Sequence, residues 1–315
     1  MTVSEPDSSS DATVSPASAR RRLGRELREL RESLSLRLDE AAEKFERSAP
    51  TLSRLENGRS GAPRLVDVSA LLDSYAALRP DLVDDQVREH VLLLAGISRR
   101  KEWFAPYRDV LARDSASDGG RRYVEYESDA VEIRSFEPDL VPGLLQTEAY
   151  ARAVVRVFQP RYTPAQRRRL VQFRLDRQRV LLRQVSPLRF RVVIGELALR
   201  RVLGGTQVMR EQLEALASWI RDGPSNVEIA VAPASLVTPA VFGGPFVVMM
   251  FAERDEQDVV YIEGRVAATY LQGEAEVQRH LDEFDALTAE AMAPLDTLDA
   301  IERILDEPGM GIAGA

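Results

Sequence analysis

The hydrophobic period of the chain changes once, across ARDSASDGGRR at 112–122, and that change constrains the fold more than any other feature. Before it, apolar residues recur at helical spacing: Leu23, Leu27, Leu30 and Leu34, then Leu38, Ala41, Ala42 and Phe45, then Leu65, Val68, Leu71, Leu72 and Tyr75. Spacings of three and four place these residues on single helix faces, which predicts a bundle of four or five short helices. After it come LRFRVVI (188–194), VEIAVA (227–232), FVVMMFA (246–252) and VVYIE (259–263), short apolar or alternating runs that predict strands. Helical spacing persists at 207–221 and 274–306, and the capping pair Thr163 and Gln166 marks one more helix start. The predicted class is α+β, with an N-terminal all-α bundle followed by a larger mixed α/β domain.

Within 315 residues this gives a Ser/Asp-rich disordered tail at 1–16, a helical domain at 17–80, and a helical connector and linker at 81–121. A C-terminal domain at 122–307 and a flexible tail at 308–315 complete the chain. Cysteine is absent and only His90 and His280 supply imidazoles, so disulfides, thiolate zinc sites and a cysteine nucleophile are excluded. No metal or other cofactor is expected. The N-terminus lacks an apolar core of signal-peptide type and no long apolar run occurs, so a cytoplasmic, nucleoid-associated protein with no membrane partner is expected.

The stretch SAPTLSRLENG, 48–58, reads as a capped helix. Ser48 is placed to cap it, Pro50 falls in the first turn where its missing N–H costs no bond, and Asn57-Gly58 supplies a left-handed stop. Leu52 and Leu55 would face the bundle, while Ala49, Pro50, Ser53 and Arg54 point away. LRLDEAAEKF, which Arg37 opens, is a short amphipathic helix just before it. Two such helices across a tight turn match the geometry that sets a recognition helix in the major groove. The whole chain has a net charge of −8, yet residues 20–64 hold 12 basic and 8 acidic side chains. Affinity for DNA comes largely from local phosphate neutralisation, so the local excess is the relevant figure.

RLGRELRELRE followed by LRLDEAAEKFERSAPTLSRLENGR resembles the Xre/Cro, lambda-repressor-like helix-turn-helix over about 60 residues. The resemblance places Ala49, Pro50, Ser53 and Arg54 toward base edges and Thr51 near phosphate. Three positions depart from the family pattern: Leu38 stands where glutamine is frequent, Glu46 where the turn often has glycine, and Ala49-Pro50 where polar readers are frequent. Since Ala and Pro side chains cannot hydrogen-bond a base edge, Arg54, bidentate to guanine, is the main direct reader expected. Arg20, Arg21, Arg22, Arg37, Arg47 and Arg59 are expected on phosphates. The DNA-binding set is thus Arg37, Arg47, Ser48, Ala49, Pro50, Thr51, Ser53, Arg54, Asn57 and Arg59.

In the C-terminal part, YVEYESDAVEIRSFEPDLVPGLLQTEAYARAV, RLDRQRVLLR, GELALRRVLGG, GGPFVVMM and VVYIEG resemble the WhiJ-like, antitoxin-like domain of actinobacterial Xre-type regulators. That resemblance implies transcriptional regulation with a small companion protein as partner. The expected function is a sequence-specific DNA-binding regulator that forms a homodimer and senses a partner protein or small-molecule effector. The alternative is an antitoxin-type protein that neutralises a small companion and autoregulates its operon.

No catalytic residue is expected: G-x-S-x-G, P-loop and H-E-x-x-H patterns are absent, and GMGIAG at 309–314 sits at the chain end with no strand before it. Glu125, Glu127, Asp129 and Glu132 read as a solvated acidic face. The arginines between 161 and 191 are read either as a second nucleic-acid surface or, in the favoured reading, as partners of the acidic segment 125–139 within the chain or across a subunit contact. The Gly/Pro segment 236–246 is read either as the rim of a groove or as a plain loop.

Overall fold

A computed structural model of the protein describes residues 15–307 apart from 45, 60, 62, 112–118, 185–186, 253–255 and 265–266. The C-terminal tail with GMGIAG, Phe45, most of the linker and residues 1–14 of the expected N-terminal tail therefore lie outside the described residues, while Ser15 and Pro16, expected in that tail, cap and open the first helix. The chain divides into two compact units at Ala105 and Pro106. The stretch 81–121 is split by this boundary and does not stand as a separate connector. No described helix is long and apolar enough to cross a membrane.

The first unit contains α1 (Pro16–Ser33), α2 (Leu38–Lys44), α3 (Ala49–Glu56), α4 (Leu65–Ala76) and α5 (Asp85–Ile97). Ser15 caps α1 by accepting from Ser18 N at 3.0 Å, and Asp84 caps α5 by accepting from Val87 N at 2.8 Å. The predicted stripes form one core: Leu23, Leu27, Leu52, Leu55, Val68, Leu71, Leu72 and Tyr75 are buried. Leu65 is exposed, so the fourth stripe begins at Val68. α5 adds Val91, Leu94, Ala95 and Ile97 and packs on α1 and α4.

The second unit contains α6 (Arg108–Leu111), α7 (Gly119–Asp129), β1 (Glu132–Glu137), α8 (Glu148–Phe158), α9 (Pro164–Arg177), β2 (Arg189–Gly195), α10 (Glu196–Arg200), α11 (Thr206–Asp222), β3 (Val227–Ala232), α12 (Pro239–Gly243), β4 (Phe246–Met250), β5 (Val259–Ile262), β6 (Thr269–Leu271), α13 (Glu274–Glu290) and α14 (Pro294–Asp306). The six strands form one mixed sheet in the order β3-β2-β1-β4-β5-β6. β1 pairs parallel with β2 (Ile133 opposite Phe190) and antiparallel with β4 (Ile133 opposite Met249). One sheet face packs with α8, α11 and α14 around Tyr150, Val154, Leu213, Leu216 and Ile301. The other carries Phe136, Val193, Val248 and Val260 against Val277, Phe284 and Leu287 of α13. The architecture is α+β.

The four expected strands are present, and two more are not foreshadowed by apolar runs. β1, EIRSFE, is the central one: Ile133 and Ser135 turn to one face and Phe136 to the other, so its two large apolar residues fall three apart and hide the period of two. Residues 119–122, expected as linker, open α7.

Candidate nucleic-acid interface

α2, the turn through 46–48 and α3 form a helix-turn-helix held from behind by α1. Arg37 occupies the N-cap of α2, its carbonyl accepting from Ala41 N at 3.0 Å. Glu40 reaches back to the Arg37 backbone N–H at 2.8 Å, the second half of a capping box with arginine in place of serine or threonine. The turn where glycine is frequent in the resembling family uses Glu46 at φ 54°, a left-handed conformation that an L side chain adopts at a cost. Ser48 begins α3 with extended backbone, but its hydroxyl meets the Thr51 hydroxyl at 2.9 Å and accepts no backbone N–H. Gly58 at φ 63° ends the helix, as the Asn57-Gly58 pair predicts.

The rear face of α3 is fixed by packing and charge together. Leu52 and Leu55 are buried, and a Cβ at Gly24 of α1 would collide with the Glu56 carbonyl oxygen, so glycine alone permits this approach of α1 to the end of α3. Glu56 takes both terminal contacts of Arg31 at 2.7 and 2.9 Å, and Arg31 also donates to Leu36 O at 2.9 Å. The hydrogen bond to Glu56 raises the Arg31 pKa despite burial, and burial pushes up the Tyr75 hydroxyl, which has no hydrogen-bond partner among the described residues. The glutamate of the SRLENG ending is therefore a structural anchor.

The outer face is a strip of Pro50, Ser53, Arg54 and Asn57, spaced three, four and seven apart. Asn57 Nδ2 donates to Ser53 O at 2.7 Å and Ser53 Oγ at 3.3 Å, which ties the two polar side chains together. Ala49, expected outward, is half-buried against the core because it lies three residues before Leu52 on the same face. Thr51 is half-buried beside the cap.

Of the predicted phosphate contacts, Arg20 is displaced: it is buried, 2.7 Å from Glu102 and donating to Ser98 O. A count of charge cannot register that burial. Arg21 and Arg22 are half-buried. Arg37 lies beside Asp39 and Glu40, and Arg47 pairs with Asp67 at 3.0 Å. Arg64 also holds Asp67, and its hydrogen bond is the main cause of that carboxylate's lowered pKa. Arg54 and Arg59 are exposed and, among the described residues, make no ion pair. The basic excess thus narrows at the interface to two unengaged guanidinium groups.

Residues 22–86 match a family model described as a helix-turn-helix domain, which supports a DNA-binding regulator. Residues 120–303, more than half of the sequence, match the domain of unknown function DUF5753. The chain belongs to the DUF5753 family. No curated protein and no solved structure matches it.

Within the DUF5753 domain the most distinctive stretch, VPGLLQTEAY, is organised by two buried amides. Gln212 accepts from Thr147 N at 2.8 Å and donates to Leu145 O at 2.9 Å, and Gln146 donates to Val141 O at 2.8 Å. Thr147 caps α8, and the Thr163–Gln166 capping box opens α9. The acidic run is not a solvated face: Glu127 is buried and takes Arg177 bidentately at 2.8 and 2.6 Å, the intramolecular pairing expected of the arginine-rich stretch. Segment 236–246 contains the short helix α12, which with α13 borders a shallow groove of about 570 Å³ lined mainly by apolar atoms.

Proposed function

We propose that the protein is a sequence-specific, Xre-type transcriptional regulator acting on double-stranded DNA in the cytoplasm, and that its WhiJ-like DUF5753 domain dimerises and senses a companion protein or small effector. No enzymatic activity belongs to this reading. The observation that carries it is the outer strip of α3, presented rigidly because Leu52, Leu55 and the Arg31–Glu56 pair fix the opposite face. Pro50 offers no side-chain hydrogen bond, and Ser53 and Asn57 are tied to each other, so Arg54 is the base reader and DNA shape supplies further selectivity. A reader with two free arginines has few phosphate contacts, and a dimer that spans two half-sites about 34 Å apart supplies the missing affinity.

Footprinting of the full-length protein on genomic DNA tests this directly. A pseudo-palindromic site with two half-sites one helical turn apart is expected. On that site, Arg54→Ala should cost about 1–3 kcal/mol at one guanine and relax selectivity there. Equal losses on the site and on random DNA would refute the base-reading role. Isolation as a stoichiometric complex with a small protein that is toxic when free would favour the antitoxin reading instead.

A further inference from the structure

The DUF5753 domain holds a cluster that DNA binding does not use, at the carboxyl end of β1. β1 is the strand from which the sheet grows both ways, with β2 and β3 on one side and β4, β5 and β6 on the other. In open α/β sheets, ligands bind beyond the carboxyl ends of strands where the strand order reverses, because the covering elements part there. Ser135 lies opposite Val247, Val247 opposite Tyr261, and Tyr261 opposite Tyr270, which makes one cross-strand row. The alternation of β1 sets Glu137 on the same face, one step beyond that row. From α7, Tyr123 meets Tyr261 edge-on at 4.7 Å between ring centroids.

Glu137 is the unusual member. One carboxyl oxygen accepts from Ser135 Oγ at 3.0 Å, and the Glu137 side chain makes no other hydrogen bond and no ion pair among the described residues. The side chain is half-buried. Burial pushes its pKa up to about 7, with Glu263 and Asp139 adding to the rise while Ser135 and Arg177 oppose it. Arg177 is already taken by Glu127, and Asp139 by Arg201 at 3.1 Å. Glu263, like Glu137, has no ion-pair partner among the described residues. The tyrosine faces nearby already hold cations of the protein itself: Arg177 lies 5.1 Å from the Tyr123 centroid and Arg122 4.3 Å from that of Tyr270.

The geometry points to a binding site for a small organic cation at the carboxyl end of β1, with Glu137 as counter-charge and the rings of Tyr123 and Tyr261 against the ligand's apolar body. An anion would face the carboxylates of Glu137 and Glu263, and the nearby Arg177 is already neutralised by Glu127. The inference rests on the sensing role given above to the DUF5753 domain and supplies that role with a site and a ligand class.

Calorimetric titration of the full chain, without DNA, tests it with three probes of matched shape: 2-phenylethylammonium, neutral 2-phenylethanol and anionic 3-phenylpropionate. At about pH 8 the ammonium probe should bind with a Kd of about 1 mM or tighter, roughly tenfold or more below the other two. Because Glu137 must be ionised, that affinity should fall about tenfold between roughly pH 8 and pH 6. Glu137→Gln should abolish the preference for the cation, with circular dichroism reporting whether the fold is kept. Glu263→Gln, at an exposed position, should weaken the ammonium probe by roughly twofold to fivefold and serves if the first variant does not fold. Absence of ammonium binding, equal binding of the neutral probe, or tighter binding of the anion each overturns the proposal. None of these results bears on DNA affinity, so the sensing role is judged separately, by whether the bound probe shifts that affinity.

Discussion

Among the described residues each unit of the chain holds a bidentate arginine–glutamate pair, Arg31–Glu56 in the first and Arg177–Glu127 in the second, and the two pairs do different work. Arg31–Glu56 is closed in by backbone: the arginine also donates to Leu36 O, α1 crosses at Gly24, and Tyr75 lies beside it. Arg177–Glu127 is bordered by aromatic rings, with Tyr123 and Phe173 within 5.8 Å of the guanidinium, and it faces the half-exposed Glu137. The first pair fixes a helix so that its far side can be read. The second removes a positive charge from the neighbourhood of a carboxylate that would otherwise have used it.

The largest effect should come from breaking the closed pair. Arg31→Ala leaves Glu56 buried without its partner, which costs about 3–5 kcal/mol in comparable cases. That is enough to unfold the first unit while the second keeps its own transition, a split that urea denaturation followed by circular dichroism would record. A single shifted transition of unchanged slope would show that the two units melt together.

Glu127→Gln should cost less, about 1–3 kcal/mol, because Arg177 keeps its ring contacts and is partly open to water. Its second consequence is the sharper one. With Glu127 neutralised, the full charge of Arg177 acts on Glu137 and should draw its pKa down from about 7, a change that carboxyl NMR of labelled glutamate would follow. An unmoved value would mean that Arg177 and Glu137 do not communicate.

The stability of the second unit should itself depend on pH. The folded-state pKa of Glu137 lies above its ordinary value of 4.5, so the group favours folding when protonated, and that contribution fades as pH rises from about 4.5 through about 7. The loss is about 1–3 kcal/mol after allowance for the partial exposure of the side chain. Glu137→Gln should flatten this slope and raise the urea midpoint at about pH 8. An identical slope in the variant would locate the pH dependence elsewhere.

Both units were legible in the sequence where apolar residues alone set the period. The stripes of the bundle and the strands at β2, β3, β4 and β5 follow from spacing, as does the cap at Thr163. What spacing could not deliver was the fate of charge. Arg20, Arg31, Glu56 and Glu127 carry the same formal charges as their exposed neighbours, and only tertiary packing decides that they are buried and paired. A partial signal did exist: Glu56 lies four residues after Leu52 and Arg31 four after Leu27, so both sit on core-facing stripes. β1 stayed hidden for the same reason, because an arginine, a serine and two glutamates occupy positions that its neighbours in the sheet cover.

The smallest effect concerns the turn between α2 and α3, where the two units differ again. In the second unit every described residue with a positive φ is a glycine, whereas the reader turns through Glu46 at φ 54°. An L residue pays about 1–2 kcal/mol for that conformation, and glycine loses up to about 1 kcal/mol of unfolded-state entropy in exchange. Glu46→Gly should therefore stabilise the first unit by at most about 1 kcal/mol, read as a small rise in its urea midpoint. The same substitution removes an exposed carboxylate three residues before the helix that reads DNA, so affinity for the footprinted site should rise modestly at low salt and converge with wild type at high salt. A gain that persisted at high salt would instead mean that the backbone of the turn, and not its charge, limits how α3 meets the groove.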